Sequence, residues 1–180
     1  MRLLGIFLMS SALTGVGFVF AERRKERFRI LEQLRQMIQY LKSQILYSNA
    51  TLPEAVFEVG ERFKNLEKEK KLNWGTETFF EDILRLMEEN ESQPFSEIWQ
   101  AAAERIPSGV SLTKGDRENL SALGGKLGYA DRNMQECTFH FYQELLDETI
   151  KSAKEEVEKM GKLYRTMGVA AGVLWFVLFI

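Results

Sequence analysis

Two charge-free runs stand at the two ends of this sequence, and they constrain its fold more than anything between them. Residues 3–21 read LLGIFLMSSALTGVGFVFA and residues 166–180 read TMGVAAGVLWFVLFI. Every Asp and Glu, and every Lys and Arg except Arg2, lies between the two runs. At about 19 residues and ~1.5 Å of rise each, the first run nearly spans a ~30 Å hydrocarbon core, which predicts a transmembrane helix over residues 1–21. The competing reading is a cleaved signal peptide ending at Val19-Phe20-Ala21. The following Glu22-Arg23-Arg24-Lys25-Glu26-Arg27 tells against cleavage, because those cations would then have to cross the membrane.

The second run is shorter, about 15 residues or roughly 22 Å of helix. Lys162 and Arg165 precede it, where long basic side chains can snorkel to an interface. It ends on Trp175-Phe176-Val177-Leu178-Phe179-Ile180, which is too apolar to leave in water without a reason. A transmembrane helix over residues 166–180 is therefore predicted, with local bilayer thinning or packing on another helix. Whether it spans or lies in the outer leaflet stays open from sequence. Gly168 and Gly172 form a GxxxG pair, and Ser11 and Gly15 a second small-residue pair, which suits close contact between the two anchors. Both basic flanks lie on the side of the middle, so residues 22–165 are expected to be a cytoplasmic domain with both termini outward. The single Cys137 excludes an intramolecular disulfide and is compatible with a reducing compartment.

The middle is helical in pattern nearly throughout. Leu31, Leu34, Ile38, Leu41 and Ile45 recur at three and four, as do Leu146, Ile150, Ala153, Val157, Met160 and Tyr164. These two seams predict a long antiparallel pair, about 40 Å by the rise per residue, continuing into the terminal spans. Between them, Thr51-Leu52-Pro53-Glu54 is a capping box opening a helix with Val56, Val59, Phe63 and Leu66 on one face. A turn at Asn73-Trp74-Gly75-Thr76 leads to a helix bearing Phe79, Phe80, Ile83, Leu84 and Met87. Ser92-Gln93-Pro94 opens one with Phe95, Ile98, Trp99 and Ala102, closed by Ile106-Pro107-Ser108-Gly109. Thr113-Lys114-Gly115-Asp116 caps a helix through Leu120, Leu123 and Leu127, Gly128 ends it, and Asp131 is placed to cap the last helix. No run alternates with period two. The fold class is all-α, a bundle of five or six helices.

The chemistry-bearing residues are few. A net charge of −2 leaves no basic excess to release counterions from phosphates, which argues against nucleic acid as a partner. One His and one Cys make no zinc site of familiar spacing. His140 lies one turn after Cys137, but the neighbours Phe139, Phe141 and Tyr142 read as packing, and a buried thiol beside an interfacial histidine is expected. Gly124-Gly125-Lys126-Leu127-Gly128 lacks both the order and the preceding strand of a phosphate loop. The aromatics Phe57, Phe63, Phe79, Phe80, Phe95 and Trp99 read as core at helical spacing. No catalytic residue, cofactor site or metal site is assigned, and the chain reads as a non-enzyme. The turn Leu127-Gly128-Tyr129-Ala130-Asp131 can serve tight helix packing or a contact site. The acidic segment from Glu88 to Ser92 would suit a basic partner, though solvation explains it more simply.

The order of these elements is that of a known family. An N-terminal span with a basic flank precedes Leu52-Pro53-Glu54-Ala55 and the Trp99 helix. Leu112, Asp116-Arg117-Glu118-Asn119-Leu120, Leu127-Gly128-Tyr129-Ala130-Asp131 with Gln135, and a final GxxxG span follow. The chain resembles the stage III sporulation protein AB family of endospore-forming bacteria over essentially its whole length, most specifically at Leu127, Gly128, Asp131 and Gln135. Its middle is also similar, more loosely, to the cytoplasmic helical domain of the type II secretion F platform proteins, through Leu52-Pro53-Glu54-Ala55 and Gly109-Val110-Ser111-Leu112. The resemblance implies a component of a secretion-like sporulation channel in the mother-cell membrane facing the forespore, docking a secretion-type ATPase beside other stage III sporulation channel proteins. F-family platforms carry two such domains and three spans, so a homo-oligomer would supply the missing copies. On this reading Leu127, Gly128, Asp131 and Gln135 shape a turn or partner contact, and Gly168 and Gly172 pack the spans. The alternative is a coiled-coil membrane signalling protein without catalytic activity.

Overall fold

The structure is a computed structural model. It describes the backbone of residues 2–48, 50–70, 76–90, 92–127 and 132–179, and the side chains of 21–48, 50–64, 79–90, 92–127 and 132–163. The elements are α1 (Arg2–Tyr47), α2 (Leu52–Lys70), α3 (Thr76–Glu89), α4 (Phe95–Glu104), α5 (Lys114–Leu127) and α6 (Arg132–Phe179), with no strand among the described residues. The all-α expectation holds. No helix among the described residues is long and apolar enough to cross a membrane. The side chains of both charge-free runs, and with them the expected spans over 1–21 and 166–180, lie outside the described residues.

The chain divides into two compact units, one of Met1–Arg29 with Thr149–Ile180, the other Ile30–Glu148. In the first, Arg24 and Arg27 of α1 reach Glu156 of α6 at 4.0 and 3.8 Å. Ala153 is buried there, and Ile150, Val157 and Met160 are half-buried at the three-four spacing of a packed seam.

The second unit holds the main core. Ile30, Leu31, Leu34, Met37, Ile38, Leu41 and Leu46 of α1 are buried. The expected Ile45 is only half-buried, because Leu46 takes the inward position at the last turn. Arg35 makes a two-pronged ion pair with Asp147, and the Arg132 guanidinium donates to the Leu46 carbonyl. Residue numbers thus rise along α1 as they fall along α6, so the two helices run antiparallel in this unit.

Each inserted helix starts for a readable reason. At the start of α2 the Thr51 N–H and hydroxyl both donate to the Glu54 carboxylate, at 2.9 and 2.8 Å, supplying a partner at a helix end that lacks one. The same device recurs at α5, where the Thr113 N–H donates to Asp116 (2.8 Å) and the Asp116 N–H donates to the Thr113 hydroxyl (3.2 Å). α4 has no side-chain cap; it opens at Pro94, whose carbonyl accepts the Glu97 N–H at 3.0 Å. The inward faces are Ala55, Val56, Val59 and Phe63 on α2, and Phe79, Phe80, Ile83 and Leu86 on α3. Phe57, expected in the core, is 52 % exposed, because the α2 backbone points position 57 away from the stripe through 56, 59 and 63.

Candidate functional site

An aromatic cluster joins α4 to its neighbours in the second unit. Trp99 is buried, edge-on to Phe79 with centroids 5.1 Å apart, and close to Phe80 and Phe95. Its indole N–H donates to the Leu120 carbonyl at 2.7 Å, which satisfies the one polar atom of a buried tryptophan. The α5 backbone can come that close because position 124 has no side chain. A Cβ built on Gly124 would overlap Trp99 at its Cβ, Cγ and Cδ1. Gly124 and Gly125 lie inside α5, and the first is a packing notch. The sequence signal was a glycine pair within a helix, directly after Leu123 and three residues before Leu127; only the facing tryptophan explains it.

Downstream, the first turn of α6 tends the ends of two other helices. Arg132 donates to the Leu46 carbonyl near the end of α1, and the Gln135 side-chain N–H donates to the Leu127 carbonyl at the end of α5, at 3.2 Å. Carbonyls in the last turn of a helix lack a partner in their own helix, so these two side chains fill a standing need. Of the four residues singled out by sequence, the structure brings Leu127 and Gln135 together; Leu127 is buried, and Gly128 and Asp131 lie outside the described residues. Gly168 and Gly172 fall on α6 in the stretch beyond the described side chains. Arg132 was missed, as was Arg117, whose guanidinium donates to the Ile106 and Pro107 carbonyls at 2.8 Å each. Arg117 thereby holds the bend after α4, where Pro107 brings no backbone N–H of its own and its carbonyl also accepts the Val110 N–H at 3.1 Å.

Cys137 is exposed, which corrects the expectation of a buried thiol. Position 137 shares an outward strip of α6 with Met134 and Phe141, which are 54 % and 55 % exposed. The spacing i, i+3, i+7 places all three on one face. His140 lies alongside, 3.6 Å from Glu144, with both side chains largely in solvent. Tyr142, by contrast, turns inward, and burial raises its phenol above the ordinary value. Among the described residues no group of three or more His, Cys, Asp or Glu is arranged to hold a metal ion. What α6 offers at this end is a contact strip: two large apolar side chains and a thiol beside the carboxylates of Glu144 and Glu148.

The described residues thus make an all-α bundle with an exposed apolar strip on its last helix. A model of the stage III sporulation protein AB family matches residues 2–180, and the chain belongs to that family. Stage III sporulation protein AB of Bacillus subtilis (strain 168) is 26% identical over 178 residues, covering 99% of this chain and 98% of that one. A solved structure of stage III sporulation protein AB (SpoIIIAB) matches with a TM-score of 0.62 at 23% identity, covering 74% of this chain and 97% of that chain. At that identity the likeness bears on the fold alone.

Proposed function

We propose that this chain is a non-enzymatic membrane platform of a secretion-like sporulation channel, set in the mother-cell membrane facing the forespore, with residues 30–148 in the cytoplasm as a dock for a secretion-type ATPase. The observation that carries the reading is the exposed Met134–Cys137–Phe141 strip on a unit rich in carboxylates. Large apolar side chains left in water next to charge are the composition of a contact surface. Family membership supports the sporulation setting, and the motor as partner rests on analogy, through the looser resemblance of the middle to the type II secretion F platforms. More than one copy would stand in each assembly, since each chain brings a single such unit.

The experiment has two parts. In intact cells, Cys137 is replaced by Ser and a single cysteine is placed at the exposed Ser92; protection from a membrane-impermeant thiol reagent is expected. Labelling at 92 from outside would end the cytoplasmic-motor reading. In vitro, the detergent-solubilised chain is titrated with the ATPase encoded by the same organism. Phe141→Ser with Met134→Ser is expected to weaken binding at least about tenfold, as for central interface anchors. Unchanged affinity would remove the strip from the interface.

A further inference from the structure

The charge of this chain is divided between its two units. Ile30–Glu148 holds 13 Lys and Arg against 21 Asp and Glu, whereas Met1–Arg29 with Thr149–Ile180 holds 11 against 5. The overall −2 is thus −8 on one unit and +6 on the other. Five acids cannot neutralise eleven cations, however they pair. Some of the pairing is placed: Arg24 and Arg27 share Glu156, Lys25 meets Glu22, and Lys159 meets Glu155. The excess also has a position. The cations from Arg23 to Arg29 follow the first charge-free run within about 12 Å of helix, and Lys159 and Lys162 precede the second within about 11 Å. Arg23, Lys25, Arg29, Lys159 and Lys162 are all exposed. That reach is close to the thickness of a headgroup layer plus a Debye length of ~8 Å, where a cation still feels a negatively charged lipid surface.

We propose that this basic girdle of α1 and α6 binds anionic phospholipid headgroups and so fixes the unit at a negatively charged leaflet. The inference rests on the membrane reading of the two charge-free runs, and adds to it a lipid requirement that anchoring alone does not create. Any apolar helix of sufficient length enters a zwitterionic bilayer; only the girdle distinguishes one headgroup from another.

The test reconstitutes the full chain into phosphatidylcholine vesicles containing a third phosphatidylglycerol, with one or the other lipid carrying brominated acyl chains. Quenching of tryptophan emission reads which lipid surrounds the protein, with Trp175 in the second run as the natural reporter. The expected result is a preference for phosphatidylglycerol of about fivefold or more at low salt, falling toward unity at about 0.5 M salt. Changing Arg23, Arg29, Lys159 and Lys162 together to Gln should abolish the preference while circular dichroism keeps its helical signal; this set leaves both partners of Glu156 in place. A variant with Arg23→Lys and Arg29→Lys should retain it, which keeps the test informative if the Gln set misfolds. Equal quenching by both lipids would overturn the girdle and leave the anchors standing. Quenching by neither would overturn the membrane reading itself. Loss of the preference on adding millimolar glycerol phosphate would assign the site to a free anion and overturn it as a lipid site.

Discussion

Single atoms set the tolerance of this fold at two positions. Gly124 touches the root of the Trp99 side chain, so an added methyl cannot be relieved by rotating the indole. Overpacking of this kind costs about 1–3 kcal/mol and occasionally more, against ~1 kcal/mol gained from alanine's helix preference. Gly124→Ala is expected to lose about 2 kcal/mol or more in urea unfolding, and in a Trp99→Ala background, which lacks the two nearest of the overlapped atoms, the same change should cost less. Additive losses would mean that the two residues do not share one site. Glu54 makes a different kind of contribution. Hydrogen bonds from the Thr51 N–H and then its hydroxyl hold the Glu54 carboxyl below its ordinary pKa. The folded state therefore favours the ionised form, and the stabilisation is complete above the unfolded carboxyl's pKa and lost as pH falls through the lowered folded value. The difference in melting temperature between parent and Glu54→Gln is expected to be widest near neutral pH and to shrink in acid; a pH-independent difference would contradict it.

At the scale of elements, α1 and α6 are joined in the second unit by apolar burial more than by charge. The Arg35–Asp147 pair is two-pronged, and the hydrogen bond to Asp147 raises the guanidinium pKa, yet both side chains are about half in solvent. Exposed pairs contribute little after screening, so a double-mutant cycle with Ala at 35 and 147 is expected to give a coupling of at most about 1 kcal/mol, smaller in high salt. The helix ends are another matter. Removing the Gln135 amide leaves the Leu127 carbonyl short of a donor at a part-buried site. Gln135→Ala should cost about 1 kcal/mol, read from the urea midpoint at unchanged slope. A null effect would mean that solvent replaces the bond, and would free Gln135 for a contact role.

Among the described residues, apolar side chains are mostly buried where helices meet, and two of the exposed large ones, Met134 and Phe141, share one face of α6. Met134 and Phe141 make little of the core, so changing both to Ser should move the melting temperature by no more than about 2 °C while partner binding is lost. A large drop in stability would turn the strip into structure. The uneven charge of the two units belongs to this scale too, because it emerges only when residues distant in sequence are grouped by the fold.

The amino-acid sequence by itself determined the helices, since three-four periodicity, Thr-Leu-Pro-Glu and Thr-Lys-Gly-Asp are local signals and a helix is a local structure. It also carried the family, through short segments spread along the whole chain. It did not determine which face of a helix meets which neighbour. Phe57 and Cys137 read as interior because apolar side chains usually are, and both stand in solvent, because exposure depends on which way a helix is turned against the others. Gly124 read only as part of a glycine-rich stretch that makes no phosphate loop, and is a notch only because Trp99 arrives from another helix. Arg132, Gln135 and Arg117 mend carbonyls as far as 86 residues away in the chain, a distance over which no local pattern can speak and only tertiary packing decides.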